Sequence, residues 1–216
     1  MKPNHHPDDA TLLSYAAGGL PGDARVLIDC HLQACPHCRQ TILDAESIGG
    51  ALLETAAPRP AADRMRNDML ARLEGVPPDT VPGPTTGTTA QGALPGPLQR
   101  LLGDDLEQLK WSPLVPGVSQ HRIDFPDGNM RLLNISPGTC LPNHSHRGSE
   151  LTLVLKGSYS DEIGQFCAGD VADLDPDVEH QPIVDSSEPC ISLVVLDAPL
   201  KFRGIVPRLL QPFFGI

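Results

Sequence analysis

Residues 138–157 read GTCLPNHSHRGSELTLVLKG. Two histidines stand one residue apart, a glutamate follows, and the run beyond it has the pattern of a β-strand. On a strand, residues i and i+2 point to the same face. His144 and His146 therefore project together, and Glu150, again at even spacing, joins them. A later strand brings His180 opposite. Three imidazoles and a carboxylate suit Zn, Mn, Fe, Ni or Co, so the residue types call for a metal without naming it. Buried inside a barrel, such groups are costly unless an ion pairs the carboxylate and uses the nitrogen lone pairs.

The flanking sequence supports a barrel. MRLLNIS (130–136), LTLVLKG (151–157), SDEIGQF (160–166), GDVADLD (169–175) and CISLVVLD (190–197) are short and β-rich, with Gly, Pro, Asp and Asn between them. Many short strands without helices argue for a β-sandwich or barrel over 98–216. Upstream, residues 77–97 hold six prolines and four glycines in 21 positions. That segment cannot sustain a helix or a central strand. It reads as a flexible tether reaching roughly 25 Å if coiled.

Residues 1–76 have helical patterning instead. DDATLLSYAAGGL (8–20) starts acidic and ends in glycines. Pro21 and Asp23 open a second helix through ARVLIDCHLQ (24–33). Pro36 suits the first turn of a third, in which Ile42, Ala45, Gly49 and Leu52 recur at helical spacing. AADRMRNDMLARLEG (61–75) puts Met65, Met69 and Leu73 on one face of a fourth. Such a stripe is core or a partner-binding face. Four helices in so short a segment form a bundle too small for its own core, so a staple is expected.

CHLQACPHC (30–38) supplies that staple. In His31-x3-Cys35-x2-Cys38, two thiolates bind one ion from a helix's first turn, and the histidine sits one turn away at the end of the second helix. His5 or His6 closes the tetrahedron, and spacing does not choose between them. Two thiolates and two imidazoles favour Zn2+. Cys30 and His37 fall between ligand positions and point elsewhere.

The bulk composition narrows the functional classes. The formal charge is −11, and an acidic surface repels phosphate backbones, which argues against direct nucleic-acid binding. No stretch has the apolar length of a signal peptide core or of a membrane span, which needs roughly 18–20 residues. The expected location is the cytoplasm, where six cysteines are thiols or ligands rather than disulfides.

Two family resemblances rest on these residues. Gly138-x5-His144-x-His146-x3-Glu150-x6-Gly157 is similar to the first cupin motif at every position. The second cupin motif is less complete: Gly169, Pro176 and His180 are present, but the inner glycine is absent from PDVEH (176–180) and Val184 stands in place of the terminal asparagine. The helical segment with His-x3-Cys-x2-Cys resembles the zinc-binding anti-sigma domain. Joined in one chain, the two resemble the ChrR family of anti-sigma factors. That resemblance implies a two-domain fold: an all-α zinc-stapled four-helix anti-sigma domain (1–76), a Pro/Gly linker (77–97) and an all-β cupin sensor domain (98–216). It implies inhibition of an extracytoplasmic-function sigma factor, release in response to singlet oxygen or related oxidants, and zinc at two sites. The ligand sets it implies are His6, His31, Cys35 and Cys38, then His144, His146, Glu150 and His180. It also selects His6 over His5.

The rival from the residues alone is a metal-dependent cupin enzyme, a dioxygenase or isomerase, with an accessory zinc domain. A small-molecule-binding cupin is a third reading. Cys140, Cys167 and Cys190 are read as small buried hydrophobes, with Cys140 the best placed for a sensing thiol. His121 is read as surface or core, and the apolar tail PRLLQPFFGI (207–216) is expected to need cover.

Overall fold

The computed structural model describes residues 2–60, 62–74, 94–103, 106–125, 128–146, 148–198 and 200–202. Helices α1 (Asp9–Ala16), α2 (Gly22–Ala34), α3 (Pro36–Thr55) and α4 (Asp63–Glu74) make up the N-terminal part. Asp8 caps α1, its Oδ1 accepting the Thr11 amide at 2.6 Å. A single extended residue, Cys35, separates α2 from α3, and Pro36 occupies the first helical position, where a missing N–H is harmless. The last turn of α2 and the first turn of α3 therefore meet at a corner. α1 packs along α3.

The four expected helices are present among the described residues, and α4 has no buried residue. Met65, Met69 and Leu73 are 61, 65 and 69% exposed, so this stripe is not core. α3 likewise buries only Cys38 and Ile42, and Leu43, Ile48, Leu52 and Leu53 lie open along its remainder.

Among the described residues ten strands follow: β1 (Ser112–Val115), β2 (Val118–Ile123), β3 (Met130–Ile135), β4 (His144–His146), β5 (Glu150–Lys156), β6 (Ser158–Ser160), β7 (Gln165–Cys167), β8 (Val171–Leu174), β9 (Cys190–Leu196) and β10 (Leu200–Phe202). One six-stranded sheet runs β1-β2-β3-β9-β5-β8, and β10-β4 and β6-β7 form two short ladders. All pairings are antiparallel. The segment 160–166, expected as one strand, is instead a hairpin: its ends belong to β6 and β7, and residues 161–164 turn between them. Asp161 Oδ1 there accepts the Ile163 and Gly164 amides. Gly157, which ends β5, has φ +72°, and a Cβ on it would lie 2.6 Å from the Pro189 carbonyl oxygen. Only glycine fits a positive φ against a neighbouring backbone.

At its centre, in β9, most of β5 and the start of β3, the large sheet is buried on both faces. One face carries Glu150, Thr152, Val154, Ala172, Leu174 and Val194 into the barrel. The other carries Leu151, Leu153, Val171, Leu193, Val195, Leu132 and Met130 away from it, as the register requires. This outer set forms one hydrophobic cluster with Leu27 and Ile28 of α2. Both leucine and isoleucine are fully buried. A strand covered on both sides reads as a nearly continuous apolar run, which is why β9 reads CISLVVL, with Ser192 its one polar residue, and is buried throughout.

The two halves thus share a core and do not merely hang on a tether. The final residues of the stretch read as linker take part in it. Helix α5 (Gly96–Leu102) begins within that stretch, Leu94 and Leu98 are buried in the same cluster, and α5 packs on α2. The Gly96 amide donates to Gln33 Oε1 of α2 at 3.0 Å. Residues 77–93 lie outside the described residues, as does the apolar tail at 207–216.

A shared core makes a testable prediction. Leu27→Ala should destabilise the protein by about 2–5 kcal/mol. Because Leu27 sits in the cluster that both halves share, far-UV signals from the helices and near-UV signals from the barrel should shift together in denaturant. Separate transitions, with the barrel unmoved, would contradict a continuous core.

Candidate metal centres

The corner between α2 and α3 gathers the first site. His31 comes from the last turn of α2, Cys35 from the hinge, and Cys38 from the first turn of α3. His6 arrives on the segment before α1. Their ligand atoms all lie within 4.8 Å of one another. His6 Nδ1 is 3.3 Å from Cys35 Sγ and 3.4 Å from Cys38 Sγ, and His31 Nε2 is 3.3 Å from Cys38 Sγ. A tetrahedral zinc site, with Zn–S about 2.3 Å and Zn–N about 2.0–2.1 Å, has edges of roughly 3.3–3.8 Å. The cluster has the size and donor chemistry for such an ion.

The protonation chemistry agrees. Burial lowers the basicity of His31, and burial with the neighbouring His37 does the same for His6, keeping both imidazoles neutral. Burial, reinforced by the hydrogen bond with Cys35, pushes the Cys38 thiol up to about 12. A thiolate at this apolar corner thus requires a cation, and binding one displaces the thiol proton. His31 Nδ1 lies 2.8 Å from the Gly169 carbonyl oxygen. A carbonyl only accepts, so Nδ1 carries the hydrogen and Nε2 presents its lone pair to the sulfurs.

His5 lies elsewhere: its ring packs on Phe166 with centroids 4.2 Å apart. Cys30 is buried beside α5, its thiol pushed up to about 12 by burial. His37 is a neighbour of His6, with ring centroids 5.0 Å apart, outside the four-residue cluster.

The second set lies in the barrel. β4 carries His144, β5 opens with Glu150, and His180 bridges to His144 through a pair of backbone hydrogen bonds. The three side chains are buried. His146 holds its place on the β4 backbone, paired with Leu200; its side chain lies outside what the structure describes. His144 Nδ1 donates to the Pro142 carbonyl at 2.9 Å, and His180 Nδ1 donates to Asp161 Oδ2 at 2.9 Å. In their neutral tautomers both rings therefore turn unprotonated Nε2 atoms toward each other, 3.1 Å apart. Two lone pairs facing at that distance repel, and a shared cation relieves the repulsion. Glu150 accepts from Thr152 Oγ1 at 2.9 Å, which orients its carboxylate. The donor set fits a divalent cation.

Asp161 was not singled out by sequence. Burial works to raise its carboxyl, but hydrogen bonds from His180 and from the Ile163 and Gly164 amides outweigh this and hold it below its ordinary value. It thus stays an acceptor and fixes the His180 tautomer, as carboxylate–histidine pairs do at metal sites. Of the other cysteines, Cys140 is exposed, correcting its reading as a buried hydrophobe, Cys167 is half-buried and Cys190 is buried. His121 lies against Trp111, its Nδ1 donating to the Lys110 carbonyl at 3.1 Å.

The ChrR cupin-like domain matches residues 100–198. Anti-sigma-E factor ChrR of Cereibacter sphaeroides is 37% identical over 219 residues, spanning 100% of both chains. This chain belongs to the ChrR family of anti-sigma factors. Within that family, a chain in the crystal structure of Rhodobacter sphaeroides SigE in complex with the anti-sigma ChrR superposes with a TM-score of 0.76. It is 33% identical, and the match covers 91% of this chain and 100% of that one. The ChrR likeness thus spans the helical half as well as the barrel, and the His/Cys corner belongs to the half that a likeness to cupins alone would leave unexplained.

Proposed function

We propose that this chain is an anti-sigma factor, which binds an extracytoplasmic-function (group IV) sigma factor in a 1:1 complex and occludes the surfaces that factor needs for RNA polymerase. The observation that carries this reading is the open apolar surface of α3 and α4. Leu43, Ile48, Leu52, Leu53, Met65, Met69, Leu70 and Leu73 are all between 47 and 75% exposed. Side chains of that kind on two helices are what a helix-in-groove partner buries. The matched relative is a ChrR in complex with SigE. The net charge of −11 complements the basic DNA-binding surface of a sigma factor and speeds encounter with it.

The action is occlusion and needs no catalysis. Among the described residues no helix is long and apolar enough to cross a membrane, and we place the complex in the cytoplasm. Zn2+ is proposed at both sites, held by His6, His31, Cys35 and Cys38 at the helical corner and by His144, His146, Glu150 and His180 in the barrel. The barrel receives the signal, singlet oxygen or a related oxidant, and its changed state weakens the sigma complex. The exposed Cys140, close in sequence to the barrel histidines, is a thiol such oxidants reach.

The test is co-expression of the full chain with its sigma factor. A 1:1 complex by size exclusion with light scattering, which excess polymerase core does not strip of sigma, is the expected result. Sigma eluting alone, or passing to core polymerase unhindered, would overturn the reading. For the barrel, Asp161→Ala should weaken metal retention there by about 10- to 100-fold while the helical corner keeps its ion. Metal counted after equilibrium dialysis checks this, and two retained equivalents would contradict it.

A further inference from the structure

Both imidazoles of the helical corner are held in place by the barrel. His31 Nδ1 donates to the carbonyl of Gly169, in the turn between β7 and β8. The adjacent residue, Asp170, is 1% exposed. Its Oδ1 accepts the amides of Asn4 at 2.6 Å and His5 at 3.1 Å, and its Oδ2 accepts the Cys167 amide at 2.8 Å. The Val171 amide in turn donates to the His5 carbonyl at 3.2 Å. The segment that delivers His6 is therefore pinned to the edge of β8 on both sides of His5. Gly169 has φ +98°, and a Cβ there would press on Pro3 and approach Ala34 of α2. The turn is shaped for close approach to the helical half.

We propose that the Gly169–Asp170 turn is the outer shell of the helical metal site, with Asp170 as its positioning residue, so that metal retention at the α2–α3 corner and docking of the barrel are coupled. A buried carboxylate accepting three backbone amides is a charge-assisted anchor. Here it fixes the path of the chain one residue before a ligand. The Gly169 carbonyl fixes the tautomer of a second ligand. Outer partners of this kind commonly set metal affinity. Coupling is reciprocal: a change at the turn alters the hold on the metal, and the metal favours the docked barrel. This goes beyond sigma binding and rests only on the four-residue corner holding a metal. It gives an event in the barrel a physical route into the helical half.

The test uses full-length protein loaded with Co2+. Thiolate-to-cobalt charge-transfer absorption reports the helical corner alone, because the barrel ligands include no thiol. Asp170→Ala should lower cobalt affinity at that corner about 10-fold or more in competition with a chelator, with Asp170→Asn intermediate. Because Asp170 also braces the Cys167 amide, Asn4→Pro provides a second variant: it deletes one strap donor and leaves the turn intact. It should lower cobalt affinity at the corner severalfold while the near-UV signal of the folded barrel is retained. Wild-type affinity in all three variants would overturn the coupling. A wild-type chain that never shows the band would instead overturn the metal assignment beneath it.

Discussion

Replacing both Cys35 and Cys38 by serine should strip the helical corner of its metal, melt α1 and α3, and weaken sigma-factor binding at least 100-fold. The reason lies in how little else holds those helices. α1 buries only Leu12, and α3 buries only Cys38 and Ile42. Structural zinc supplies on the order of 10 kcal/mol or more to small domains that lack a core. α2 is different: Leu27 and Ile28 sit in the core shared with the barrel. The variant should therefore lose roughly the helix content of α1 and α3 in circular dichroism while its near-UV barrel signal persists. A double-serine chain with full helicity and undiminished sigma binding would show that the metal does not staple this domain.

Serine at Met65, Met69 and Leu73 together should weaken the sigma complex about 100-fold or more, because exposed anchors that become buried on binding carry much of an interface's energy. The same triple change should leave the melting temperature within about a degree, since surface substitutions away from packed features have small effects. These side chains are 61–69% exposed in the chain by itself. Titration calorimetry against the sigma factor and a thermal melt separate the two effects. A large loss of stability would mean that α4 packs within the protein, and unchanged affinity would move the interface elsewhere.

Much of the site was legible in the sequence because its ligands come from short, regular spacings. His144-x-His146 and Glu150 follow from strand alternation, and His31, Cys35 and Cys38 follow from a helix end, a hinge and a helix start. What lay outside reach was tertiary. Asp161 meets His180 only because residues 161–164 form a turn; read as part of one continuous strand, that segment gave no reason to place the two together. The Gly169 carbonyl is a backbone acceptor that any residue would supply, so no side-chain pattern announces it. Asp170 is bonded to residues more than 160 positions away. The shared core did leave a trace. CISLVVL is apolar at six of its seven positions, whereas a barrel strand with one wet face alternates, and a second covering layer is what such a run demands. Leu94 and Leu98 were obscured by the prolines around them, because local composition hides a helix that packing on α2 stabilises.

The most direct measurement is hydrogen–deuterium exchange on the full chain, alone and with its sigma factor. Protection should appear across residues 43–53 of α3 and 65–73 of α4, where the apolar side chains lie open, with the outer strands of the barrel unchanged. Protection confined to the barrel, with α3 and α4 exchanging as before, would contradict the claim that the metal-clasped helices are the surface that holds sigma.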